Sequence, residues 1–197
     1  DYILSVLREY QLEQNKLEQE KTNQKNISSI KNLNLAYHPM YLGDSNSAKV
    51  IYEFVDYNCG YCQKFHQELI NVMKDNSLKL VIIQMPILGN FSEELTKLAL
   101  ASSLQGQFKV VHNYLYSTER KSKMEDILAD LFLRGVDLDI LKNDLDSQEV
   151  SDFLSIHRSY ADEFKFTGTP ATIIGNQIIP GFIDADKITE ILEKEFS

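Results

Sequence analysis

Residues 54–65 read Phe54-Val-Asp-Tyr-Asn-Cys59-Gly-Tyr-Cys62-Gln-Lys-Phe65. They join the end of an apolar run, two cysteines separated by two residues, and the start of a helical pattern. Upstream, Lys49 to Asp56 is rich in β-branched and aromatic residues and apolar on both faces, as a central strand requires. Downstream, Phe65, Leu69, Val72 and Met73 fall on one face of a helix running to about Lys74, with Asn58 in position to cap it. Leu78 to Met85 is a second buried strand. Two strands joined by a helix make a βαβ unit, so the pair is expected to be parallel.

Beyond this unit, residues 91 to about 163 are helical in pattern, as in Leu95-Leu98-Ala99, Phe108-Val111-Leu115, Ile127-Leu131 and Leu141-Leu145. Gly106 and Gly135 lie near breaks between helices. Thr172 to Pro180 reads as two short strands around a Gly175-Asn176 turn. A last helix, Asp184 to Phe196, places Ile188, Ile191 and Leu192 on a buried face. The order is βαβ, a helical block, ββ and α.

At the other end, residues 1 to about 24 read as a helix. Ile3, Leu7, Tyr10, Gln14 and Leu17 follow alternating spacings of four and three, the pattern of a coiled-coil seam. Opposite charges stand near each other at Glu13/Lys16, Lys16/Glu20 and Glu18/Lys21. Such a helix is marginal alone, so it docks either on its own domain or on copies of itself. Residues 22–29 are polar and aperiodic and read as a linker. The expected organisation is an arm over 1–26 and a catalytic domain over 27–197.

The 197 residues carry a formal charge of -9, which argues against nucleic acid, since phosphate binding needs a basic surface. No apolar run approaches the roughly 18 residues that cross a bilayer. The start, Asp1-Tyr2-Ile3, shows neither a basic segment nor an Ala-x-Ala site, so a secretory leader is absent from the sequence or already removed.

The two cysteines are the only ones, and their spacing excludes a disulfide-stapled scaffold. A thiolate, not a thiol, attacks a disulfide. A cysteine opening a helix meets unpaired N–H groups and the positive end of the dipole, which favour the thiolate. Cys59 holds that position. Cys62 lies one turn on, within reach to form an internal disulfide and to resolve a mixed one. Gly60 and Tyr61 between them are expected to tune the reduction potential. A structural disulfide closing so short a loop removes little chain entropy. Zinc needs about four ligands; Cys59, Cys62, His66 and the remote His38, His112 and His157 are at hand, but no second Cys-x-x-Cys completes a site. Gln63 stands where a c-type haem would want histidine.

The stretch Phe54 to Phe65, together with Thr167-Gly-Thr-Pro-Ala171, resembles the DsbA-like thioredoxin-fold oxidoreductases of bacteria over about residues 35–197. The resemblance implies an α/β thioredoxin fold with a helical insertion at about 91–163, preceded by the N-terminal helical arm. It implies that Cys59 is the exposed nucleophile and Cys62 the buried resolving partner. Pro170 matches the family's cis-proline and Thr169 precedes it, offering backbone groups to a substrate strand; an ordinary trans proline is the alternative. Glu53, six residues before Cys59, matches a buried acid that moves protons at the inner cysteine; a solvated strand glutamate is the alternative. Gly60-Tyr61 departs from the Pro-His of the most familiar members, which argues against extreme oxidising power. His66 reads as a helix-face residue and Lys64 as solvated.

The arm and the Cys-Gly-Tyr-Cys core are similar to a subgroup that forms trimers and acts as disulfide isomerases. The expected function is therefore disulfide formation or isomerisation in exported proteins, as an oligomer with trimer favoured. The alternatives are a monomeric dithiol oxidase and a non-catalytic peptide-binding chaperone module. Expected partners are unfolded or misfolded exported proteins and a recycling redox protein, a membrane oxidase or reductase. The expected compartment is the periplasm. No cofactor or metal is expected beyond the redox-active Cys59–Cys62 disulfide.

Overall fold

The computed structural model describes residues 2–32 and 40–197. The chain divides into two compact units between residues 35 and 36. The first contains one helix, α1, Tyr2–Asn32. Its seam residues Ile3, Leu7, Tyr10 and Leu17 are all exposed on the single chain. Residues 22–29, read from the sequence as a linker, continue this helix instead. Lys, Gln and Ser there lack apolar periodicity but carry no Gly or Pro to break the turn-by-turn hydrogen bonding.

The second unit has the element order of the thioredoxin fold. Strand β1 is Tyr41–Gly43, β2 is Val50–Val55, α2 is Gly60–Asp75 and β3 is Lys79–Gln84. Helices α3 (Asn90–Leu104), α4 (Phe108–Leu115), α5 (Met124–Leu133), α6 (Leu138–Asp144) and α7 (Gln148–Glu163) follow. Strands β4 (Ala171–Ile174) and β5 (Gln177–Pro180) and helix α8 (Ala185–Phe196) close the chain. The sheet order is β1-β3-β2-β4-β5. β2 and β3 are parallel, as a βαβ crossover demands, with Glu53 beside Ile82. β4 runs antiparallel to β2, placing Thr172 beside Glu53, and β5 pairs with β4 through the Gly175-Asn176 turn. The helical block spans α3 to α7, with Gly106 and Gly135 at positive φ between helices.

β1 has no sequence signal, being only three residues long. It lies antiparallel on the outer edge of β3, and Gly43 is essential there. At φ 81° a Cβ would run into the Leu78 carbonyl oxygen and the end of Met73.

The alternation of a strand sorts β2 into two faces. Phe54 meets Phe164 and Phe166, just past α7, with ring centroids 6.1 and 4.7 Å away. Ile51 and Val55, on the other face, join Phe65, Leu69, Ile188 and Leu192 in the main core under α2 and α8. Glu53 sits on this second face with them, wholly buried. The fold thereby carries one carboxyl group from the central strand into the apolar layer beneath α2.

Candidate active site

Cys59 is itself the N-cap of α2, with extended backbone at φ -88° and ψ 114°. Asn58 is not the cap, contrary to the sequence expectation. The preceding turn is organised by Asp56, whose backbone carbonyl accepts from Cys59 N–H at 3.0 Å. The Asp56 carboxylate accepts from Asn58 N–H at 2.8 Å and from the N–H groups of Ile87 and Leu88 at 2.9 and 3.0 Å. An Asx-type turn therefore ends β2 and hands Cys59 to the first turn of the helix.

Cys59 is partly exposed and Cys62, one turn further, is buried; both are free thiols. Burial pushes the Cys62 thiol up, and the charges of Cys59 and Glu53 act in the same direction. Across from the pair, the Thr169–Pro170 peptide is cis. The Thr169 carbonyl lies 3.5 Å from Cys59 Sγ, which donates to it. The Pro170 carbonyl accepts from Gly181 N–H at 2.8 Å, tying this loop to the end of β5. Tyr61, between the cysteines, is exposed, with Lys64 Nζ 5.5 Å from its ring centroid. Ile87 and Leu88, whose N–H groups bond Asp56, and Phe182, whose ring centroid lies 6.1 Å from that of Phe65, are exposed apolar residues.

Of the sequence-predicted site residues, Cys59, Cys62 and Thr169 gather at the head of α2, with Gly60 and Tyr61 between the cysteines and Pro170 adjoining Thr169, while Glu53 meets the helix one turn further on, at His66. Glu53 is buried rather than solvated. Its Oε2 lies 3.0 Å from His66 Nδ1. His66, read from the sequence as a helix-face residue rather than a catalytic partner, lies on the buried face of α2. Four residues after Cys62 it occupies the same side of α2, so the face that hides the inner cysteine also hides the imidazole.

Behind His66 lies a polar network that no sequence pattern announced. His66 Nε2 is 3.3 Å from His112 Nε2, and His112 Nδ1 is 2.8 Å from the Tyr57 hydroxyl. Gln84 Nε2 donates to that hydroxyl at 3.1 Å, and Thr96 donates to Gln84 Oε1 at 3.4 Å. Tyr116 stacks on His66, with centroids 4.7 Å apart and planes at 21°. Only the cysteines, Glu53 and the Thr-Pro loop carried a motif; histidines spaced across α2 and α4 carry none. His38 lies outside the described residues.

The family model described as Thioredoxin matches residues 36–194. The chain belongs to the DsbA-like disulfide oxidoreductases of the thioredoxin family. Among these proteins, one similar relative is the "Probable disulfide bond formation protein D" of Bacillus cereus. It is 24% identical over 169 residues, covering 78% of this chain and 77% of that protein. A similar solved structure is the thiol-disulfide exchange protein alpha-DsbA2 from Wolbachia pipientis. Its TM-score is 0.79 at 26% identity, covering 90% of this chain and 97% of the other. A linker-deletion mutant of Proteus mirabilis ScsC shares the fold over 98% of this chain and 92% of its own length. Its TM-score is 0.78 at 20% identity. No helix among the described residues is long and apolar enough to cross a membrane.

Proposed function

We propose that this DsbA-like protein makes and rearranges disulfide bonds in exported proteins, with the Cys59–Cys62 disulfide as its only redox group. Cys59 is the nucleophile, attacking a substrate disulfide as thiolate or receiving a substrate thiolate as one half of the internal disulfide. After attack by Cys59, Cys62 resolves the mixed disulfide; after attack on the internal disulfide, Cys62 leaves as the thiolate and a second substrate thiol displaces Cys59. Thr169 and Pro170 form the loop along which an extended substrate strand lies. Glu53 exchanges a proton with Cys62. Gly60 and Tyr61 set the reduction potential. The observation that carries this reading is the placement of a partly exposed cysteine at the head of α2, opposite Thr169, with a buried cysteine one turn behind it. Its test is the recovery of scrambled ribonuclease A. The protein restores activity and Cys59→Ser does not; equal recovery by Cys59→Ser overturns the assignment.

The finer reading is an oligomeric isomerase, trimer favoured, acting in the periplasm and recycled by a membrane redox protein. It is supported by the exposed seam of α1, since Ile3, Leu7, Tyr10 and Leu17 form an apolar stripe that water does not favour. Several active sites on one scaffold address one misfolded chain together. Deleting residues 1–24 is expected to weaken isomerisation more than dithiol oxidation. Equal losses favour the monomeric oxidase.

A further inference from the structure

The hydrogen bonds running from Gln84 to Glu53 have a fixed direction, and it is set from both ends. Gln84 Nε2 donates to the Tyr57 oxygen. Tyr57 has one proton, so it donates to His112 Nδ1. A neutral His112 then carries its proton on Nε2 and donates to His66 Nε2. His66 in turn carries its proton on Nδ1 and donates to Glu53 Oε2. Starting from the carboxylate, which can only accept, gives the same four directions. Burial supports the neutral forms. It pushes the Tyr57 phenol up and, with His66 nearby, pushes His112 well below the ordinary imidazole range.

The line of donors ends on one oxygen of Glu53. The other, Oε1, is buried and has no hydrogen-bond partner among the described residues. A buried polar atom left unpaired is costly and rare. Burial raises the Cys62 thiol, the Asp56 backbone and the Thr169 side chain hydrogen-bond it and lower it, and the charges of Cys59 and Glu53 raise it further. Also facing this pocket are Tyr57, Tyr116 and Cys59, and Thr172 lies beside Glu53 on β4. The nearby Asp56 carboxylate is fully engaged by backbone N–H groups, with Arg120 in its field.

We propose that His66, backed by His112, Tyr57 and Gln84, is a positioning residue for the resolving step: it holds Glu53 by Oε2 and leaves Oε1 to take the proton of Cys62. The step rests on the oxidoreductase reading above and balances without a further reactant. Cys62 S–H, which makes no direct hydrogen bond to Oε1, gives its proton to Glu53 Oε1 through one intervening water. The Cys62 sulfur attacks Cys59 in the mixed disulfide, the Cys59–Cys62 bond forms, and the Cys59–substrate bond breaks. The substrate sulfur leaves with the electron pair as a thiolate and is protonated by solvent. In the opposite direction the proton returns from Glu53 to the departing Cys62 sulfur. Because the donors all point toward Glu53, the chain of imidazoles does not carry the proton away; it fixes and orients the acceptor.

The test separates the two thiol steps on the full-length protein. The mixed disulfide of Cys59 with thionitrobenzoate is formed by adding Ellman's reagent to the reduced protein. Its first thionitrobenzoate reports attack by Cys59, and the second reports resolution by Cys62. His66→Leu is expected to slow the second release roughly tenfold, less than the ~10²–10⁴ of a group that itself moves the proton, and to alter its pH profile. The first release stays within about twofold. His66→Asn, which keeps a donor near the Nδ1 position, restores most of the rate. In a Glu53→Gln background, His66→Leu adds little. An unchanged second step and pH profile in His66→Leu, or additive losses in the double variant, overturns the proposal. Nitrogen NMR of the unaltered protein tests it without any variant: His66 is expected as the Nδ1–H tautomer and His112 as Nε2–H. The reverse pair of tautomers overturns it. If the unaltered protein releases no first thionitrobenzoate at all, the oxidoreductase reading fails instead.

Discussion

The Tyr57 hydroxyl lies 2.8 Å from His112 Nδ1, and both side chains are buried. The pair joins the loop after β2 to α4, so the helical insertion is bonded directly to the region that carries the cysteines. It also makes the fold sensitive to acid. Burial, and secondarily His66, pushes His112 well below the ordinary range. The unfolded chain takes up this proton near pH 6.5 and the folded chain does not. The stability from keeping His112 neutral is therefore complete above about pH 6.5 and is lost as pH falls toward the folded value. The expected loss is up to about 1.4 kcal/mol per pH unit. Urea unfolding between pH 7.5 and 5 checks it. His112→Phe removes this part of the slope while lowering stability at neutral pH, because Tyr57 loses its acceptor. A parent and a variant with the same slope contradict the account.

Gly43→Ala tests the edge strand. Its positive φ and the approach of the Leu78 carbonyl leave no room for a methyl group. The expected cost is about 2–3 kcal/mol of unfolding free energy. Cys59 lies outside β1, so its rate with Ellman's reagent should stay within about twofold per active molecule. Thermal unfolding beside that rate makes the comparison. A neutral substitution would mean that the β1–β3 edge does not constrain this turn.

Much of this arrangement is legible in the sequence. Lys49–Asp56 and Leu78–Met85 are apolar runs of strand length that become the paired β2 and β3. Gly175-Asn176 marks the turn of the last hairpin, and the apolar spacing of Ile188, Ile191 and Leu192 marks α8. The legible parts owe their signal to local periodicity and turn chemistry. The hidden parts are those that tertiary packing decides. β1 is too short to show a period. The end of α1 is polar enough to resemble a linker, and helical hydrogen bonding continues through it. Glu53 breaks an apolar run with one charge; its place on the inward face of the central strand buries it, and His66 supplies its partner. His66 on α2 and His112 on α4 are 46 residues apart in sequence and meet at 3.3 Å. No spacing rule within a single element reports such a meeting.

The seam of α1 gives a prediction about mass. Leu7 and Tyr10 are exposed on the single chain, and a charge at either position penalises a helix–helix seam. Leu7→Glu with Tyr10→Glu is expected to bring the molar mass measured by light scattering from a multiple of 22.7 kDa down to that value. Its rate of attack on Ellman's reagent remains within about twofold, since α1 contributes neither cysteine. A parent protein already at one chain mass contradicts the proposed oligomer.

The central claim is that Cys59 reacts with substrate sulfur and Cys62 resolves. The most direct measurement exposes the reduced protein and its single-cysteine variants to oxidised glutathione, quenches in acid and weighs the products. The parent should end as the internal Cys59–Cys62 disulfide without retained glutathione, and Cys62→Ser should retain one glutathione on Cys59. Cys59→Ser should react at least about tenfold more slowly, because its remaining thiol is buried and its ionisation is pushed up. Capture of glutathione at Cys62 as fast as at Cys59, or a parent that forms no internal disulfide, would contradict the account.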